Sequence, residues 1–456
     1  MYYDSGAFFS DLARRVAFQT ESLNPEQAAS LLAYLAQELS PAMARLGFSA
    51  RIVDNPQSGF GPLLIAHRIE ADELPTVLLY GHGDVGRCYD AQWHSGFNPW
   101  RLVADGERLY GRGTADSKGQ HTINLAALEQ VLVVRDGRLG FNVKVIIEMG
   151  EETGSPGLHD ICTTLHDELA ADLLIASDGP RVRAEQPTVF LGSRGLVDFD
   201  LIVRCRDGAH HSGNWGGLLR NPATVLASAI SSLVDGQGRI LVEGLQPPAI
   251  PAAVLQALTD IVVGGGVNDP DIDADWGEPG LTPTQRVFAW NALEVLTFKA
   301  GNPDNPVGAI PPFAQARCQL RFVVGTNWQN LQQIVRDHLD AHGFPMVEVS
   351  VGNSMSATRL DSENPWVIWA LESLAQTTGK KPVLLPNIGA SVPNDVFAEL
   401  LGLPTLWIPH SYPACSQHAP NEHLLAPVAR EALQIMAGLF WDLGEVDIGL
   451  IRQRNK

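Results

Sequence analysis

Three short apolar runs in this chain stop abruptly at glycine or at a carboxylate. Residues 77–80 (V-L-L-Y) end at Gly81, followed by His82 and Asp84; 143–149 break into Gly150-Glu151-Glu152; 172–177 break into Asp178-Gly179. Short apolar runs bounded by glycine are the pattern of strands buried on both faces of a parallel sheet. Strand patterns also occur at 49–53, 62–67, 75–80, 142–149, 172–177 and 188–192, and helical spacing at 7–17, 25–47, 117–134 and 156–169. The second helix opens at Asn24-Pro25-Glu26, with proline at its first position. Strands alternating with helices predict a layered α/β domain.

Near Gly192-Ser193-Arg194-Gly195 the texture changes. Residues 197–205 and 314–324 alternate polar with apolar, the pattern of half-exposed antiparallel strands. Helices are expected at 222–234 and 327–342, a strand at 346–352, and a long loop with one short helix over 245–285. From about 362 the first pattern returns, with helices at 364–378, 394–401 and 425–442 and a strand at 404–408. The expected fold class is α/β. A three-layer domain with a central, mostly parallel sheet comes from residues 1–193 and 356–456, interrupted by a smaller α+β domain at 194–355.

Composition narrows the function. The 456 residues carry a net charge of -19, which excludes the basic stripe a nucleic-acid surface needs. Hydrophobic residues at 45% and charged residues at 18% fit a soluble enzyme, and no run approaches a membrane span. Five scattered cysteines without a C-x-x-C suit a reducing compartment, and the N-terminus lacks a basic segment before its short apolar patch. A cytoplasmic protein is expected.

In open α/β sheets, ligands bind beyond the carboxyl ends of the strands. His82 can bind zinc there, and Asp84 can hold its other ring N–H. Asp116, in G-R-G-T-A-D-S-K-G before a long helix, can bridge two metals with its two oxygens. One of Glu151 and Glu152 can ligate while the other takes a proton from water, and Asp178 and His418 add a carboxylate and an imidazole. Singly, each has a plain alternative: a turn or cap for the aspartates, a solvated face for the glutamates, a hydrogen-bonded core residue for the histidines. Gly81-His82-Gly83-Asp84-Val85-Gly86 is formally a dinucleotide fingerprint, but the helix that must follow is replaced by an aromatic loop. Asp271-Ile272-Asp273-Ala274-Asp275 begins like a calcium loop, yet Trp276 and Thr282 stand where glycine and glutamate are needed.

The segments G-H-G-D-V, G-R-G-T-A-D-S-K-G, E-M-G-E-E-T-G-S, A-S-D-G and H-A-P-N-E resemble, in that order, the M20 metallopeptidase family. The resemblance implies two Zn2+ per subunit, with Mn2+ or Co2+ as substitutes. His82, Asp116 and Asp178 hold one metal and Asp116, Glu152 and His418 the other. Glu151 acts as general base and then acid, Asp84 orients His82, and the Asp116–Ser117 peptide is cis. In Ala209-His210-His211-Ser212-Gly213, His211 matches a histidine that donates to the oxyanion, often from the partner subunit of a homodimer formed through the lid domain. Arg321, downstream of Ile310-Pro311, matches a carboxylate-binding arginine, and Gly389 and Ser391 fall in a turn resembling G-G-S-I-P. Aspartate at position 178 accompanies aminopeptidases and dipeptidases, so hydrolysis of a dipeptide or small peptide is expected, with deacylation of an N-acyl amino acid as the alternative. A scaffold that had lost catalysis would lack ligands or the base, and all are present.

Overall fold

The computed structural model describes residues 2–264, 270–447 and 449. Residues 265–269, inside the expected long loop, lie outside the described residues. The principal elements are β1 (Ser49–Val53), β2 (Leu63–Arg68), β3 (Thr76–His82), α1 (Lys118–Val134), β4 (Asn142–Glu148), β5 (Leu173–Ala176), β6 (Thr188–Phe190), β7 (Gly195–Arg204), α2 (Pro222–Leu233), β8 (Ala292–Ala300), β9 (Phe313–Phe322), α3 (Leu331–Ala341), β10 (Val347–Met355), α4 (Pro365–Thr378), β11 (Val383–Leu385), β12 (Thr405–Trp407) and α5 (Ala426–Leu443).

The central sheet has the order β1-β2-β4-β3-β5-β12-β6-β11. Its middle, β4-β3-β5-β12, is parallel throughout. β2 runs against β4, and β6 runs against β12 with β11 alongside it. The period-2 geometry of the strands sorts side chains into two cores. Leu64, Val77, Leu79, Val145, Ile147 and Ile175 join a cluster with residues of α1, α4 and α5. Leu63, Ile65, Leu78, Tyr80, Ile146 and Leu174 join another on the opposite face. The result is three layers, which explains why these strands read as continuous apolar runs.

The insert is a four-stranded antiparallel sheet of order β8-β9-β7-β10. Residues along β7 alternate buried with half-buried, so Val197, Phe199, Leu201 and Val203 share a separate core with α2 and α3. Asn24 caps the turn at Pro25–Gln27 through its side chain, which gives the start signal read there a structural basis, and Asn221 and Asn364, each followed by proline, cap α2 and α4 in the same way. Strand β8 was not expected. A bulge between Val295 and Thr297 breaks its alternation, and most of it is exposed, so neither period-2 nor burial marks it. The 245–285 segment holds helix Ala252–Ala257, and Pro283–Phe288 follows. Val254, Leu258, Ile261 and Phe288 pack beside Leu174, Phe190 and Trp407 of the central sheet rather than on the insert's core.

The chain enters and leaves the insert through neighbouring segments: Thr358 N–H donates to Ser193 O at 3.0 Å and Leu360 N–H to Leu191 O at 2.8 Å. Among the described residues no helix is long and apolar enough to cross a membrane. Ile175, fully buried mid-sheet, anchors the first core. Ile175→Ala should destabilise the fold by about 2–5 kcal/mol in chemical denaturation. Val133→Ala, at a site 69% exposed, should change it by under about 0.5 kcal/mol.

Candidate metal centre

Strands β4, β3 and β5 are neighbours and parallel, so their carboxyl ends open into one crevice. His82 is the last residue of β3, with Asp84 two residues on. Glu151 and Glu152 lie in the single turn after β4, and Asp178 lies two residues beyond β5. Asp116 sits just before α1, and the Asp116–Ser117 peptide is cis. His418 comes from the Ser416–Asn421 loop, where Ser416, His418 and Asn421 all hold left-handed backbone at φ 56–64°. Non-glycine residues are uncommon in that region and concentrate at functional sites.

These side chains converge into two groups that share one residue. His82, Asp116 and Asp178 each offer a donor atom, all within 4.8 Å of one another, and so do Asp116, Glu152 and His418. His82 Nε2 lies 2.9 Å from Asp116 Oδ1 and 3.4 Å from Asp178 Oδ2. His418 Nε2 lies 2.9 Å from Asp116 Oδ2 and 3.0 Å from Glu152 Oε2. Asp116 thus turns one oxygen toward each imidazole. On the far side of the His82 ring, Nδ1 is 3.0 Å from the Asp84 carbonyl and 3.4 Å from its carboxylate. That carboxylate also accepts the backbone N–H groups of Glu151 (3.2 Å) and Glu152 (3.1 Å). Asp84 therefore orients the imidazole and the glutamate turn together.

The electrostatics call for cations. Burial raises the pKa of Glu151 well above its ordinary value, and the nearby carboxylates of Asp178, Glu152 and Asp116 add to the rise. Burial and Asp116 push Glu152 up to about 7. Hydrogen bonds to Asp116 and Glu152 push His418 up to about 11. Burial would lower His82, yet its bonds to Asp116, Asp178 and Asp84 win and raise it well above its usual value. The carboxylates thus draw protons onto both imidazoles, and that same field favours divalent cations in the protons' place. Glu152 Oε1 is buried with no hydrogen-bond partner, so an acceptor stands ready at the second group. Imidazole nitrogens and carboxylate oxygens without thiolates suit zinc, manganese or cobalt.

A family model described as Peptidase family M20/M25/M40 matches residues 78–442. The chain belongs to that family. It is 30% identical to a Beta-Ala-His dipeptidase from Mus musculus over 97% of this chain and 94% of the relative. It is 25% identical to a Cysteinylglycine-S-conjugate dipeptidase from Corynebacterium striatum over 84% of each. An M20 family metallo-carboxypeptidase from Sulfolobus solfataricus shares the fold with a TM-score of 0.84 at 22% identity, covering 96% of this chain and 99% of that one.

Several residues that shape this peptidase's centre carried no individual sequence signal. Glu422 is fully buried; its Oε1 accepts the N–H groups of Ala115 (2.9 Å) and Asp116 (3.1 Å), and its Oε2 accepts from Arg112 at 2.7 Å. Glu422 thus fixes the turn that carries Asp116, though in sequence it was only the last letter of H-A-P-N-E. Gln417 donates to Asp116 Oδ2 at 2.6 Å. Nothing but its place beside His418 marked it.

The residues expected to hold substrate lie where the insert meets the central domain. Arg321 Nη1 donates to Ser391 Oγ at 3.1 Å, and Ser391 donates to Arg194 O at 2.8 Å. Gly389 O accepts from Arg194 Nε at 2.7 Å. A Cβ at Gly389 would lie 2.7 Å from Val287 Cγ1, so close packing accounts for this glycine. His211 stands apart. It is exposed in a two-stranded ribbon with Ala309–Ile310, and no hydrogen bond or ion pair among the described residues joins it to the metal-binding groups.

Glu422→Gln keeps the oxygen facing Ala115 and Asp116 but strips Arg112 of its buried counter-charge. Breaking such a pair should cost about 3–5 kcal/mol in chemical denaturation. The variant should also lose metal faster than the parent on dialysis against a chelator, read by elemental analysis.

Proposed function

We propose that this chain is a dipeptidase that works with two zinc ions per subunit, with Glu151 as its general base. The observation that carries the reading is the pair of donor groups sharing Asp116 beside Glu151. Membership of the family and the dipeptidase names of its relatives in mouse and Corynebacterium striatum support a dipeptide substrate. His82, Asp116 and Asp178 hold one metal, and Asp116, Glu152 and His418 the other. Paired divalent cations would lower the pKa of a water and polarise the scissile carbonyl. Glu151 takes the proton from the attacking water and returns it to the departing amine nitrogen. One carboxyl can serve both steps, because the proton it accepts as base is the one it delivers as acid. Arg321 and Ser391 grip the substrate's free carboxylate.

His211 reaches the oxyanion from the partner subunit of a homodimer formed through the insert, which acts as a lid. Its exposure supports action on another molecule's site. Edge strand β8, which exposes Val295, Leu296 and Phe298, supports strand-edge pairing of two inserts. The free cysteines support a reducing, cytoplasmic setting.

The test is a hydrolysis screen of dipeptides and N-acyl amino acids by the chelator-treated protein, with zinc, manganese and cobalt restored separately. Dipeptides should be cleaved after zinc is restored; cleavage confined to N-acyl amino acids would make the protein a deacylase. Glu151→Gln should lower kcat by at least about 10²-fold, the usual scale of general-base catalysis, with bound metal unchanged. Metal at about 100 times its Kd should stabilise the parent by about 2.7 kcal/mol in thermal unfolding, an effect that Asp116→Asn should remove. Mixing His211→Ala with Glu151→Gln subunits should restore turnover through mixed dimers, whereas a donor acting within its own subunit leaves no intact site in any of them. Restored activity therefore identifies trans donation.

A further inference from the structure

Under the turn that carries Glu151 lies a buried carboxyl with no role in the steps above. Glu148 ends β4, stands opposite His82 in the β3–β4 register and is 2% exposed. Its Oε1 accepts two hydroxyls, from Tyr80 at 2.7 Å and from Ser155 at 2.9 Å. Tyr80 lies two residues before His82 on β3, and its ring is held against Phe397 at 4.9 Å and Trp407 at 5.7 Å between centroids. This donor is therefore fixed by the core of the sheet.

Ser155 is at the other end of the network and closes the catalytic turn. Its N–H donates to Gly150 O at 3.0 Å, while Gly154 N–H donates to Glu151 O at 2.8 Å. Ser155 holds a left-handed φ of 52°, a conformation that a serine keeps only when its surroundings impose it. The Gly150–Ser155 turn is thus fastened at two points. Asp84 takes the N–H groups of Glu151 and Glu152 at its start, and Glu148 takes the Ser155 hydroxyl at its end. Burying a carboxyl here is costly unless it is hydrogen-bonded, and the donors Tyr80 and Ser155 both lead to groups that frame Glu151.

We propose that Tyr80, Glu148 and Ser155 are positioning residues that pin the Gly150–Ser155 turn to the sheet and so set the reach of Glu151 into the reaction. The proposal rests on Glu151 acting as the base. What the turn needs from Glu148 is an oxygen that accepts two hydroxyls, not a negative charge. A base displaced by about 1 Å can lose about 10²-fold in rate, so the effect falls on kcat while metal binding and substrate grip persist.

The experiment compares Glu148→Gln, Glu148→Leu and Ser155→Ala as full-length, zinc-loaded protein, reading kcat and KM on a cleaved dipeptide, metal per subunit and thermal midpoint. Glu148→Leu and Ser155→Ala should lower kcat by about tenfold or more, with KM and metal content unchanged, and Glu148→Gln should retain most of the parent's kcat. Parent-like kcat in Ser155→Ala overturns the proposal, as does loss of activity in step with loss of metal. So does a Glu148→Gln variant as slow as Glu148→Leu. If Glu148→Leu fails to fold, the other two variants decide: a slow Ser155→Ala beside a Glu148→Gln near the parent's kcat upholds the proposal, and a parent-like Ser155→Ala or a Glu148→Gln as slow as Ser155→Ala overturns it. Glu151→Gln run in parallel separates the two readings. If it retains turnover, the general-base assignment falls; if it is inactive while the Glu148 and Ser155 variants behave as the parent, only the positioning role falls.

Discussion

Everything at the strand ends depends on the mutual repulsion of buried carboxylates. Burial, and then the charge of Asp116, raise the proton affinity of Glu151, Glu152 and Asp178, while His82 and His418 hold the Asp116 carboxyl well below the usual carboxylate range. A fold able to hold such a group must fix it from behind. Here the fixing groups are equally buried: Glu422 with Arg112 behind Asp116, and Asp84 behind His82 and the glutamate turn. Two imidazoles sharing the two oxygens of Asp116 then divide the negative charge between two sites. Cations complete an arrangement that would otherwise have to collect protons.

The sheet makes this economical. Because β4, β3 and β5 run parallel and adjacent, the end of β3 and two short turns deliver His82, Glu151, Glu152 and Asp178 to one crevice without long excursions. Parallel strands buried on both faces are stiff supports, and the two apolar clusters on either side hold their ends in register. Asp116 and His418 are brought in by loops, one with a cis peptide at Asp116–Ser117 and the other with left-handed backbone at Ser416, His418 and Asn421.

Much of this was legible in the chain. The apolar runs that stop at His82, Glu151 and Asp178 located the sheet's edge, and helices beginning at Asn-Pro pairs started close to where the signals placed them. The donor residues stand together in the two groups the family resemblance implied, although sequence spacing alone left each with a plain alternative. What escaped depended on long-range packing. β8 has a bulge and an exposed face, so no period betrays it. Glu422, Gln417 and Arg194 act through partners that are hundreds of residues away or are backbone atoms, and no local pattern encodes those. The segment around Val254 and Phe288 looked like part of the insert by position, yet its apolar residues are spent on the central sheet.

The paired connections at Ser193–Thr358 and Leu191–Leu360 have a mechanical meaning. A module on one tether can turn in any direction, whereas two hydrogen-bonded segments side by side restrict the turns open to it. Arg321 of the insert's sheet donates to Ser391 of the central domain, a further tie across the junction, so the insert's position is set by the same bond that holds these two side chains together.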